Sequence, residues 1–134
     1  MRTPSQTAGP FFTIGLSRRP QNELPAGVIP LRGRVLDGES APVDDALVEL
    51  WSPEVGFARS ATNAEGEFTF VLPPGARRFE VMVFARGLLK PVATRLYVPG
   101  ETAEDESMIA REEGDGLRFD IQLQGERETA FFEL

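Results

Sequence analysis

The 134-residue chain has no histidine and no cysteine, and it has one tyrosine and one tryptophan. Without cysteine no disulfide can staple the fold. Histidine is the commonest metal ligand and the side chain whose unperturbed pKa falls between pH 5 and 8. Its absence removes the usual zinc, copper and non-haem iron sites from this chain alone, together with Ser-His and Cys-His nucleophile pairs. Chemistry from within the chain is left to carboxylates, Lys, Arg or Tyr. Basic residues are also outnumbered, 14 against 21 acidic ones, for a net charge of −7. That balance repels phosphate backbones and anionic lipid, so neither nucleic acid nor membrane is an expected partner. No eighteen apolar residues run together, and no basic segment leads into an apolar one at the N-terminus. The expectation is a cytoplasmic protein with neither membrane span nor signal peptide.

Hydrophobic residues make up 41% of the chain, with ten Phe among them, enough for a real core in one domain. The first stretch is unlike core-building sequence. Thr3 to Pro10 (TPSQTAGP) sets small polar residues between prolines, ahead of Phe11 and Phe12. Proline fixes its own φ and biases the preceding residue toward extended backbone, so Thr3 and Gly9 are steered away from helix. Such a stretch is either a frayed terminus or an arm that lies along another surface with its aromatics as anchors. Residues 17–27 (SRRPQNELPAG) follow as a polar loop. The expected organisation is an N-terminal arm and loop over residues 1–28 and a single β-sandwich over 29–134.

From Ile29 the pattern has a period of two, the mark of half-buried strands. Ile29, Leu31, Gly33 and Val35 alternate with Pro30, Arg32, Arg34 and Leu36, and Asp37-Gly38 supplies a turn. Ala46, Val48 and Leu50 form the apolar face of a second strand. Residues 57–62 and 67–72 are strand-like runs separated by Asn63-Ala64-Glu65-Gly66, which predicts a hairpin. Further strands are expected at 79–84, 93–98 and 117–123, with 130–134 closing the chain. The acidic stretch 101–113, without Gly or Pro between Thr102 and Glu113, predicts one short helix capped by Thr102. The fold class is therefore all-β, an antiparallel β-sandwich of seven or eight strands with one short acidic helix.

Candidate chemistry is sparse. The acidic groups Asp44-Asp45, Glu104-Asp105-Glu106 and Glu112-Glu113-Asp115 lack EF-hand spacing and read as a solvated face. Tyr97, in an apolar alternation, reads as a core or half-buried strand residue, and Trp51 as a core or interface aromatic. Arg86, between Ala85 and Gly87 where a strand ends, can clamp a carboxylate bidentately or form a surface ion pair.

Several pieces, in order, resemble the intradiol ring-cleaving dioxygenases, and among them the alpha-type subunit of the heteromeric enzymes. They are Thr3 to Pro10, Gly33 to Gly38 (GRVLDG), Leu47 to Trp51 (LVELW), Phe84 to Gly87 (FARG), Thr94 to Tyr97 (TRLY), Gln124 to Glu126 and Glu128 to Phe132. The chain is shorter than is usual for that subunit, with gaps around 17–27, after Gly56 and after Gly75. The resemblance implies O2-dependent intradiol cleavage of a carboxylated catechol, 3,4-dihydroxybenzoate (protocatechuate), by a hetero-oligomer whose iron-bearing beta subunit holds Fe(III) through two Tyr and two His. In this chain Phe57 stands where the first Tyr is expected, the second falls in the gap after Gly75, and Arg78 and Glu80 replace the His-x-His pair. Fe(III) is then supplied by the partner subunit, with no metal and no catalytic residue in this chain alone. Thr7, Gly9, Pro10 and Arg86 match positions that line the substrate cavity. Residues 33–50 and 63–68 also resemble transthyretin-like and carboxypeptidase-regulatory domains, the basis of an alternative reading as a non-enzymatic binding module. That reading leaves the arm and the C-terminal match unexplained.

Overall fold

A computed structural model describes residues 21–88, 90–124 and 128–132. Nine strands are formed among them: β1 (Ile29–Leu36), β2 (Leu47–Ser52), β3 (Gly56–Ala61), β4 (Glu67–Leu72), β5 (Arg78–Phe84), β6 (Val92–Tyr97), β7 (Arg111–Glu113), β8 (Gly116–Arg118) and β9 (Ile121–Gln122). One sheet runs β4-β1-β8-β7, with β9 also on β1. The other runs β3-β2-β5-β6. All pairs are antiparallel except β1 with β8 and with β9, which are parallel.

The alternation in sequence becomes the inner face of each sheet. Leu31, Val35, Phe68, Phe70 and Leu72 come from the first sheet, and Val48, Leu50, Phe79, Val81, Val83 and Leu96 from the second, all at most 2% exposed. Phe68 and Phe70 meet edge to face at 5.9 Å between centroids. Each such side chain contributes about 1.5–3 kcal/mol on leaving water. Leu24, fully buried, closes the side of the sandwich between β3 and β4. There Gln21 accepts at its carbonyl from Arg59 N, and Asn22 from Val71 N.

The structure corrects three local expectations. First, residues 57–62 and 67–72 do not form a hairpin: β3 pairs with β2 and β4 with β1, in different sheets. The Asn63–Gly66 turn is tight, and Asn63 Oδ1 accepts from the backbone N–H of Glu65 and Glu67 at 3.0 and 2.9 Å. The strands it joins then diverge, because each pairs along its length with a strand of a different sheet. Second, residues 117–123 form two strands. Asp120 Oδ1 accepts from Arg34 N at 3.0 Å and from Arg118 Nε at 2.9 Å. A side chain there replaces the backbone acceptor that would have continued the ladder. Third, the acidic helix is one 3-10 turn, Glu106–Met108, capped by Asp105 and not by Thr102. The remaining acidic residues lie in loops or in the short β7.

Gly33 is required by close approach. A Cβ built there falls 1.8 Å from the Phe119 carbonyl oxygen, so only glycine lets the 119 backbone cross β1.

Candidate functional site

Side chains on the outer face of the β3-β2-β5-β6 sheet follow from register. Residues directly opposite in an antiparallel ladder share a face. Phe57 lies opposite Trp51, Trp51 opposite Glu80, and Glu80 opposite Arg95, so the four form one row across the sheet. The next row is Arg59, Glu49, Met82 and Ala93. Trp51 and Phe57 are 47% and 49% exposed, which removes Trp51 from the core.

The charges in these rows are neutralised within the chain. Arg59 pairs with Glu49 at 2.9 Å, and its guanidinium stands 5.4 Å from the Phe57 ring centre. Arg95 bonds Glu80 at 3.0 Å, pairs with Glu104, and lies 4.7 Å from the ring centre of Phe132, near the C-terminus. Tyr97, 5% exposed, donates from its hydroxyl to Glu104 Oε1 at 2.6 Å. That bond, a backbone hydrogen bond and the neighbouring Arg95 hold the Glu104 carboxyl below its usual pKa. Asp105 is lowered likewise by the hydroxyl and N–H of Ser107. Sequence reasoning missed the Arg95 cluster. Its signal was the placement of Arg95 and Tyr97 on one face of β6, legible only once the β5–β6 register is known.

Phe57 and Glu80 therefore share one outer row, with Arg78 two residues along β5. An apolar ring, a cation and a carboxylate already engaged by Arg95 do not fit ferric iron, which needs anionic or imidazole donors free to bind. No group of three or more Asp or Glu that could hold a metal occurs among the described residues. The three acidic groups singled out in sequence lie exposed on the surface.

Arg86 sits two residues beyond the end of β5. Leu88 N donates to Ala85 O at 3.1 Å, closing a turn in which Gly87 has φ +97°. Arg86 is thus presented at a turn tip, where its Nε lies 3.2 Å from Asp45 Oδ2 and its side chain is 88% exposed. Of the two readings of Arg86, the surface ion pair is the one formed within the chain. Thr7, Gly9 and Pro10 lie outside the described residues, as do Gly125 and Glu126.

No protein-family model matches the chain. It is 31% identical, over 192 aligned positions, to the protocatechuate 3,4-dioxygenase alpha chain of Pseudomonas putida, with 98% of this chain and 96% of that one covered. The chain belongs to the protocatechuate 3,4-dioxygenase alpha-chain family. The alpha chain of Burkholderia cepacia is 27% identical, with 99% and 98% covered. An alignment of 192 positions against 134 residues leaves internal stretches of the relatives unmatched, in keeping with a shortened chain. In fold, the chain matches the dioxygenase domain of a dioxygenase carbohydrate-binding protein fusion from Streptomyces sp. SirexAA-E, with a TM-score of 0.60, 24% identity, and 92% of this chain and 98% of that one covered. Coverage of whole alpha chains decides against the reading as a separate binding module. The chain is an alpha-type subunit of an intradiol dioxygenase, part of an enzyme complex whose family implies iron and a beta subunit. Among the described residues no helix is long and apolar enough to cross a membrane.

Proposed function

We propose that this chain is the metal-free subunit of a heteromeric protocatechuate 3,4-dioxygenase. It contributes one wall of the pocket in which 3,4-dihydroxybenzoate is cleaved between its hydroxylated carbons by O2. The Fe(III) that activates the catecholate and directs O2 belongs to the beta subunit. What supports this reading is family membership along nearly the whole chain, a chain without histidine, and Phe57, Arg78 and an ion-paired Glu80 where the resemblance expects ligands.

In this reading residues 1–28 form an arm and linking loop and residues 29–134 the sandwich that carries it. Thr7, Gly9 and Pro10 line the shared cavity. Gly9 permits close backbone approach and Pro10 gives a rigid apolar wall. Arg86 supplies the cation for the substrate carboxylate, which a planar guanidinium receives through two parallel N–H bonds. The complex works in the cytoplasm.

The test compares the purified chain with the chain co-expressed with a Tyr- and His-bearing beta subunit. The chain alone is expected to hold no stoichiometric iron and to show no dioxygenase activity, and the complex to show both. Iron retained by the isolated chain would sink the assignment of the metal to the partner. A beta subunit equally active without this chain would sink the shared pocket. Within the complex, Arg86→Ala is expected to raise KM for 3,4-dihydroxybenzoate about tenfold or more, the worth of charge-assisted hydrogen bonds.

A further inference from the structure

We infer that Asp45 is a positioning residue for Arg86, fixing its guanidinium so that the far edge faces an incoming carboxylate. The inference rests on the proposed role of Arg86 in binding substrate.

The pairing is set by strand register. The β2–β5 ladder runs out at Leu47 opposite Phe84. Two residues beyond those ends, in the turns that the adjacent strands carry, stand Asp45 and Arg86. Asp45 precedes Ala46, whose N–H donates to Thr62 Oγ1 at 3.0 Å, and Thr62 Oγ1 in turn donates to the Val43 carbonyl at 2.8 Å. The backbone on both sides of Asp45 is therefore tied down, while its side chain, at the surface, is 31% exposed. Arg86 is the opposite case, a long side chain on a turn tip with 88% exposure. Left alone, it would sample many rotamers and lose that freedom on binding a ligand.

Asp45 removes part of this cost in advance. Its Oδ2 lies 3.2 Å from Nε, an ion pair and not an aligned hydrogen bond, and among the described residues none hydrogen-bonds Nη1 or Nη2. The end-on fork of two terminal nitrogens, the edge that matches a carboxylate, is left for an external partner. Because Asp45 offsets the charge of Arg86, the pair attracts anions weakly at long range. It selects by geometry at contact, which favours a planar benzoate-type carboxylate over anions in general. Asp45 would act before the chemical step and touch no reacting atom.

Steady-state kinetics on the assembled complex with 3,4-dihydroxybenzoate test this. Asp45→Ala should raise KM about two- to fivefold with kcat unchanged, the range set by the strength of exposed ion pairs. Asp45→Glu, which keeps a carboxylate for the ion pair, should return KM toward the parent value. In an Arg86→Ala background, Asp45→Ala should have no further effect. An unchanged or lowered KM in Asp45→Ala, or additive effects in the double variant, would overturn the positioning role while leaving Arg86 as a ligand. If Arg86→Ala itself leaves KM unchanged, the binding role of Arg86 fails and this inference fails with it. Thermal melts of each complex separate these outcomes from misfolding: a fall in melting temperature without a KM change counts against the proposal.

Discussion

The Tyr97 hydroxyl donates to Glu104 Oε1 at 2.6 Å, and the same carboxylate pairs with Arg95, so one acidic side chain joins β6 to the loop that follows it. Through Arg95 the cluster continues to Glu80 on β5 and to the Phe132 ring. At the edge of the second sheet, the β6 backbone is met by single bridges, Ala93 with Phe132 and Tyr97 with Ile109.

Acid should loosen this cluster in a definite direction. The folded pKa of Glu104 lies below its unfolded value, chiefly through the Tyr97 hydrogen bond. Its stabilising effect is therefore fully present above the ordinary glutamate pKa of about 4.3 and is lost as pH falls through the folded value. Tyr97→Phe should move the Glu104 titration, followed by carboxyl NMR, up toward the ordinary value. The acid-unfolding midpoint should rise with it. An unmoved titration would show that the backbone hydrogen bond and Arg95 hold the carboxylate without Tyr97.

Gly33→Ala should be strongly destabilising, although alanine is a small residue in a strand. The added methyl meets the Phe119 carbonyl oxygen and the Phe68 ring, at 1.8 and 2.6 Å, so backbone must shift. A loss of about 1–3 kcal/mol or more is expected from urea unfolding. A neutral result would mean that β1 and the Phe119 backbone are further apart in solution.

Two phenylalanines should respond in opposite ways. Phe70, fully buried, should cost about 3–5 kcal/mol on truncation to alanine. Phe57, 49% exposed with Arg59 over its ring, should cost no more than about 1 kcal/mol. Equal costs in chemical denaturation of the isolated chain would contradict the placement of Phe57 on the outer face.

Asn63→Ala should cost about 1–2 kcal/mol, because it removes the acceptor of two backbone N–H groups at the crossing between sheets. Asn63→Asp keeps that acceptor but faces Glu67, to which Asn63 Nδ2 now donates at 2.9 Å. Its stability should fall between alanine and the parent. A larger loss for aspartate than for alanine would show that repulsion from Glu67 outweighs the turn bonds.

The sequence by itself determined the β class, the bounds of β1 and β4 and the inner-face residues of most strands. Period-two burial is a local property that each strand carries whatever it pairs with. Missing histidine likewise excluded, before any coordinates, a metal site built on imidazole within this chain. Pairing was decided only by the tertiary structure. The Asn63–Gly66 turn looks like a hairpin because local turn chemistry is the same whether the next strand returns to its neighbour or crosses to the other sheet. Asp120 broke a seven-residue apolar alternation because its carboxylate competes for a backbone N–H on β1, a partner 86 residues away. Asp45 was visible in sequence only as one of a run of acids. Its partnership with Arg86 comes from a register shared by β2 and β5, and registers belong to the assembled sheet.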